Sequence, residues 1–167
     1  MAVLPILTQE APILRQKAKR VGRVDDSIRK LIDDMVETMI AAPGVGLAAP
    51  QVGIGLRVIV FKTDQNLHVL VNPEMVKREG EQVGMEGCLS VPGYVGEVKR
   101  AMRVVARGLN RQGKPVRVKG DGLLARAIQH EIDHLDGILF TDRLTSLETL
   151  RKVEPETEEE VAELVGA

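Results

Sequence analysis

The chain has 167 residues, enough for one domain with a sizeable core, and its 23 Lys and Arg nearly balance 24 Asp and Glu, so it is not built as a general polyanion binder. Its aromatic residues are two Phe and one Tyr, which leaves no stacking platform for single-stranded nucleic acid and predicts an aliphatic core. A single Cys excludes an internal disulfide, no apolar run approaches a membrane span, and the Pro-broken start is too short for a secretion signal; a cytoplasmic protein is expected.

A short helix is expected around Pro12–Lys19. The clearest helix runs from Asp26 to about Ala42, where Ile28, Leu31, Ile32, Met35, Val36, Met39 and Ile40 repeat at i, i+3, i+4, i+7. Asp25, Asp26 and Ser27 offer N-caps, and Pro43-Gly44 stops it. After the Gly-rich stretch 44–55, strands are predicted over Arg57–Lys62, Val69–Asn72, Val98–Ala106 and Val116–Lys119, the last two joined by a turn at 111–114. A second helix runs from near Asp121 to Leu135 and ends at Gly137. Six Glu and no Lys or Arg lie from Glu154 onward, an acidic tail with a fraying helix expected over Glu156–Val165. No repeat or linker divides the rest, so residues 1–153 read as a single α+β domain with the tail 154–167 attached.

The chemistry concentrates in His130-Glu131-Ile132-Asp133-His134. Residues four apart share a helix face, so His130 and His134 can bind one metal ion while Glu131 sits beside it. Leu123, Ala127, His130 and His134 fall on one stripe, which predicts both imidazoles buried, where a metal would satisfy them. Cys88, in Glu86-Gly87-Cys88-Leu89-Ser90, is the candidate third ligand, and two His with one Cys leave a position open for water, as a metal hydrolase requires. Glu154, 20 residues past His134, keeps a zinc-peptidase ligand set open; a structural zinc site and a pair of plain core histidines are the blander readings. Asp133 reads equally as a partner behind the ligands or as a helix-surface carboxylate, and His68 as a surface residue.

Three segments, Gly44-Val45-Gly46-Leu47-Ala48-Ala49-Pro50-Gln51, Glu86–Ser90 and His130–His134, resemble the motifs of the peptide deformylase family in order and approximate spacing. The resemblance extends from about Ile6 to Leu144. It implies mixed or antiparallel sheets packed around a central metal-bearing helix, and removal of the formyl group from N-formyl-methionine at the start of new polypeptides, releasing formate. It implies one divalent transition metal ion on Cys88, His130 and His134, Fe2+ in the cell with Zn2+, Ni2+ or Co2+ able to substitute. A water on that ion is the implied nucleophile, Glu131 the general base and then acid, and Gln51 and the Leu89 N–H the oxyanion donors. Val45 and Gly46 are implied to line the substrate cleft, and Leu123, Arg126 and Ala127 the methionine pocket. Arg126 fits there only if its guanidinium reaches water. Glu86 and Arg100 are expected to form an ion pair behind the Cys88 loop. The implied partners are nascent formyl-methionyl chains, with neither membrane binding nor nucleic-acid readout. Ribosome association, where it occurs, is not expected through a basic C-terminal helix, because the tail is Glu-rich and RNA would repel it. A His-Glu-x-x-His zinc peptidase and a non-catalytic metal- or peptide-binding module are the alternatives.

Overall fold

The computed structural model describes residues 2–63 and 66–153. The acidic helix expected over Glu156–Val165, and Glu154 with it, lies outside the described residues. Helix α1 (Asp26–Ala41) starts as its sequence dictates, with the Asp25 carboxylate accepting from the Ile28 N–H at 3.1 Å. Strands β1 (Gly46–Ala48), β2 (Val58–Thr63) and β3 (Asn66–Glu79) follow, then β4 (Gln82–Cys88), β5 (Val91–Arg100), β6 (Arg103–Leu109) and β7 (Pro115–Asp121). Helix α2 (Gly122–Leu135) and the short strand β8 (Arg151–Lys152) complete the order.

The strands form a five-stranded sheet, β1-β2-β3-β6-β7, and a three-stranded sheet, β4-β5-β8, with each strand pair antiparallel. The run Val-Ile-Val-Phe of β2 is apolar throughout because both its faces are covered. Val58 and Val60 pack with Ile28, Ile32, Met35 and Met39 of α1, while Ile59 and Phe61 pack with Ala125, Ile128 and Ile132 of α2. A third cluster, Cys88, Val91, Val98, Leu139 and Phe140, belongs to the small sheet. Helix α2 thus lies between the two sheets, and every residue from Ala125 to Leu135 is buried. No helix among the described residues is long and apolar enough to cross a membrane.

Several expectations are corrected. Only Pro12–Arg15 coils, as a 3-10 turn; beyond it the Ala18 N–H donates to the Leu135 carbonyl at 2.8 Å and Lys19 bridges to Leu56. Val98–Ala106 is not one strand. The chain leaves the small sheet after Arg100 and joins the large one at Arg103, because the Gln129 amide of α2 takes up both the N–H and the C=O of Ala101 at 3.0 Å. Strand β3 runs past Asn72-Pro73 by means of bulges, with Asn72 at φ 53° and its side chain bonded to both main-chain groups of Val21 at 2.8 Å. Strands β4 and β5 carry Gly84, Gly87, Pro92, Gly93 and Gly96, a composition that hides them. Leu123, first in the expected buried stripe, is 71% exposed.

Candidate metal centre

The helical period places His130 and His134 on one face of α2, one turn apart, with ring centroids 5.0 Å apart. Cys88 ends β4, where the register with β5 shifts between Gly87, opposite Val95, and Cys88, opposite Val91. The Cys88 Sγ lies 3.2 Å from His134 Nε2, and one ligand atom from each of Cys88, His130 and His134 falls within 4.8 Å of the others, all buried. A thiolate with two imidazoles is the donor set of a transition metal, not of Mg2+ or Ca2+. Two buried polar atoms here have no partner among the described residues, Glu131 Oε1 and His134 Nδ1. Burial pushes the His134 imidazole down, into the neutral form that ligates. The residues present fit a metal ion.

Behind the trio stands a buried charge network. Glu86 Oε1 accepts from His130 Nδ1 at 2.8 Å and from Arg100 Nη2 at 2.8 Å. Its Oε2 accepts from Arg100 Nε at 2.9 Å and Arg126 Nη1 at 2.5 Å. Burial works to raise the Glu86 carboxyl, yet the bonds from Arg100 and His130 hold it well below the usual carboxylate range. An ionised carboxylate only accepts, so His130 carries a proton on Nδ1 and turns Nε2 away from Glu86. Burial works to lower this imidazole, yet the bonds to Cys88 and Glu86 hold it up, so a metal ion would displace a proton from Nε2. Asp133, ambiguous in the sequence, completes the network: Oδ2 accepts from Arg100 Nη1 at 2.6 Å and Arg143 Nε at 3.0 Å.

Glu131 is 1% exposed, and burial pushes its carboxyl up to about 7, where it can both take and return a proton near neutral pH. Gly46 makes room for it: a Cβ there would stand 2.9 Å from Glu131 Cγ and Cδ. Gln51 is 2% exposed, on the 3-10 turn Ala49–Val52, with its Oε1 accepting from the Ala48 N–H at 2.9 Å.

A small pocket beside the trio is lined by Gly44, Val45, Gly46, Gln51, Cys88, Leu89, His130 and Glu131. Leu123, Arg126 and Ala127 lie outside that lining. Arg126 departs from the expectation most clearly: its guanidinium does not reach water but is buried on Glu86 and the Val98 carbonyl. A carboxylate that already faces Arg100 and His130 attracts the second arginine inward. His68 is half-buried and stacked on Phe61 at 5.1 Å, away from the trio. Sequence reasoning gave Ser90 no chemistry, yet its hydroxyl accepts from Gln51 Nε2 at 3.1 Å. Nothing in a lone Ser signals such a contact across 39 positions.

The family model described as polypeptide deformylase matches residues 3–150. A peptide deformylase of Dehalococcoides mccartyi strain CBDB1 is 51% identical, over 98% of this chain and 100% of its own. One from Symbiobacterium thermophilum is 54% identical over 99% and 78%. Among solved structures, a peptide deformylase from Legionella pneumophila superposes with a TM-score of 0.84 at 47% identity, covering 89% of each chain. One from Synechococcus elongatus, in complex with actinonin, superposes at 0.82 with 43% identity, over 95% of this chain and 83% of that one.

Proposed function

The chain belongs to the peptide deformylase family, and from that premise we propose that Cys88, His130 and His134 hold its metal ion and that Glu131 carries the reaction's proton. It is a hydrolase that removes the N-formyl group from nascent peptides, with a divalent metal as cofactor. For the native ion we propose Fe2+, with Zn2+, Ni2+ and Co2+ as substitutes; a thiolate beside two imidazoles suits any of the four.

When bound, the ion supplies a Lewis acid that polarises the formyl carbonyl and makes water acidic. Glu131 accepts the proton of the attacking water through its unpaired Oε1 and returns it to the departing α-amine as the C–N bond breaks. Gln51 Nε2 and the Leu89 N–H donate to the oxyanion of the tetrahedral intermediate. Val45 and Gly46 hold the substrate backbone, and Leu123 and Ala127 border the methionine side chain. Arg126 contributes only its stem, since its guanidinium is spent on Glu86. Residues 1–153 are the catalytic unit. The protein works in the cytoplasm and meets nascent chains at the ribosome transiently, by its net basic body and not by its Glu-rich tail.

One observation carries this reading: a buried carboxylate with a free oxygen and a burial-raised pKa stands beside a Cys-His-His trio. The test is formate release from a formyl-Met tripeptide by Fe2+-loaded protein under anaerobic conditions. Glu131→Gln is expected to lower kcat by about 10²–10⁴ with metal content unchanged. Equal turnover by the variant overturns the role of Glu131; no formate from the folded, metal-replete wild type overturns the whole reading.

A further inference from the structure

Gln51 has a side-chain amide with two different ends, and the structure fixes which way each points. The Ala48 main-chain N–H, which can only donate, faces Oε1 at 2.9 Å. The NH2 end therefore points toward the Cys88 loop, and its two hydrogens have different destinations. One goes to Ser90 Oγ at 3.1 Å. The other goes to Cys88 Sγ, with Nε2 3.7 Å from the sulfur, a weak acceptor that an entering oxygen can displace. That second hydrogen is the one left to meet an oxygen entering the cleft.

Ser90 itself is fully buried and is not part of the cleft lining, so it cannot touch substrate. It sits in the turn between β4 and β5, where its own N–H donates to Cys88 Sγ at 3.4 Å. Its hydroxyl thus ties the amide of one motif to the ligand loop of another.

We propose that Ser90 is a positioning residue for deformylation, its hydroxyl oxygen holding the Gln51 amide so that one Nε2 hydrogen stays aimed at the oxyanion. This rests on reading Gln51 as an oxyanion donor. The torsion that turns a glutamine amide is soft and broad. Without Ser90 Oγ, the nearest remaining acceptor is the Cys88 sulfur, so the NH2 group turns onto it and leaves the oxyanion position.

The test is a double-mutant cycle of Ser90→Ala, Gln51→Ala and both together, in Ni2+-loaded protein. It follows kcat and KM for a formyl-Met tripeptide, with metal content and Tm checked for each variant. Ser90→Ala is expected to lower kcat about tenfold with KM within about twofold, and Gln51→Ala about a hundredfold. The double variant should be no slower than Gln51→Ala alone, because Ser90 acts through the amide that is gone. In the Zn2+-loaded protein, the side-chain amide resonances of 15N-labelled Gln51 should shift in Ser90→Ala, a change that activity does not report. Full kcat in Ser90→Ala, or the same loss in both backgrounds, overturns the positioning role. Full kcat in Gln51→Ala overturns the oxyanion reading beneath it, a separate and distinguishable failure. Should Ser90→Ala not fold, the cycle is run with Ser90→Cys, similar in volume and a weaker acceptor; an additive loss there overturns the proposal equally.

Discussion

Individual side chains in this site are held by neighbours that leave them one free function each. Glu131 is the clearest case, with one oxygen unpaired and its carbon chain lying against Gly46. The glycine is demanded by the close approach of β1 to α2, not by backbone conformation. Gly46→Ala places a methyl group within 2.9 Å of Glu131 Cγ and Cδ, so the carboxylate must move from its working position. The expected result is a loss of about a hundredfold in kcat/KM, with metal content retained. Kinetics beside metal analysis check it, and wild-type rates would show that the cleft can give. The cluster of His130, His134 and Cys88, and Glu131 beside it, could be read from residue type and spacing. Arg126 could not, because a buried guanidinium looks like any exposed one until the carboxylate it meets is placed.

At the scale of elements, α2 bears His130, Glu131 and His134, and its C-terminal end is held in two ways. Its C-terminal carbonyls are taken up by Arg57, whose Nη1 donates to the Leu135 carbonyl at 2.9 Å, and by Gly137, in the left-handed conformation at φ 74°. A Cβ on Gly137 would stand 2.7 Å from the Arg15 carbonyl oxygen. Both effects add, so Gly137→Ala is expected to cost about 2–3 kcal/mol, a Tm fall of roughly 5–10 °C, measured by thermal unfolding of the metal-loaded protein. An unchanged Tm would mean that the 3-10 turn at Pro12–Arg15 shifts freely. Both helices were legible from their 3.6-residue apolar pattern, and β2 from its unbroken apolar run. The small sheet was not: its glycines serve contacts made later, as where Gly96 lies against the Leu144 side chain.

Across the whole molecule, the two sheets enclose a charge network that ties α2 to the Cys88 strand. Glu86 is held well below the ordinary carboxylate range, so the stability from its ionised form is fully present above the unfolded pKa and is lost as pH falls toward the folded one. In metal-free protein, wild type should exceed Glu86→Gln in stability at pH 6. Below about pH 4.5 that margin should narrow by about 1.4 kcal/mol per pH unit, as read from urea unfolding; a constant margin would remove Glu86 from the acid response. Deleting residues 154–167 is expected to leave kcat/KM within about twofold, since the site is built from residues before them, and a larger loss would make the tail part of the catalytic unit. The sequence by itself determined the residues proposed as ligands and proton carrier, and the helix that bears His130, Glu131 and His134, because one face of a 3.6-residue period is a local property. Only the tertiary structure decided that Val98–Ala106 divides between two sheets, that Asp133 and Arg126 turn inward, and that Ser90 meets Gln51. Each of those depends on a partner distant in the chain, and local patterning holds no record of it.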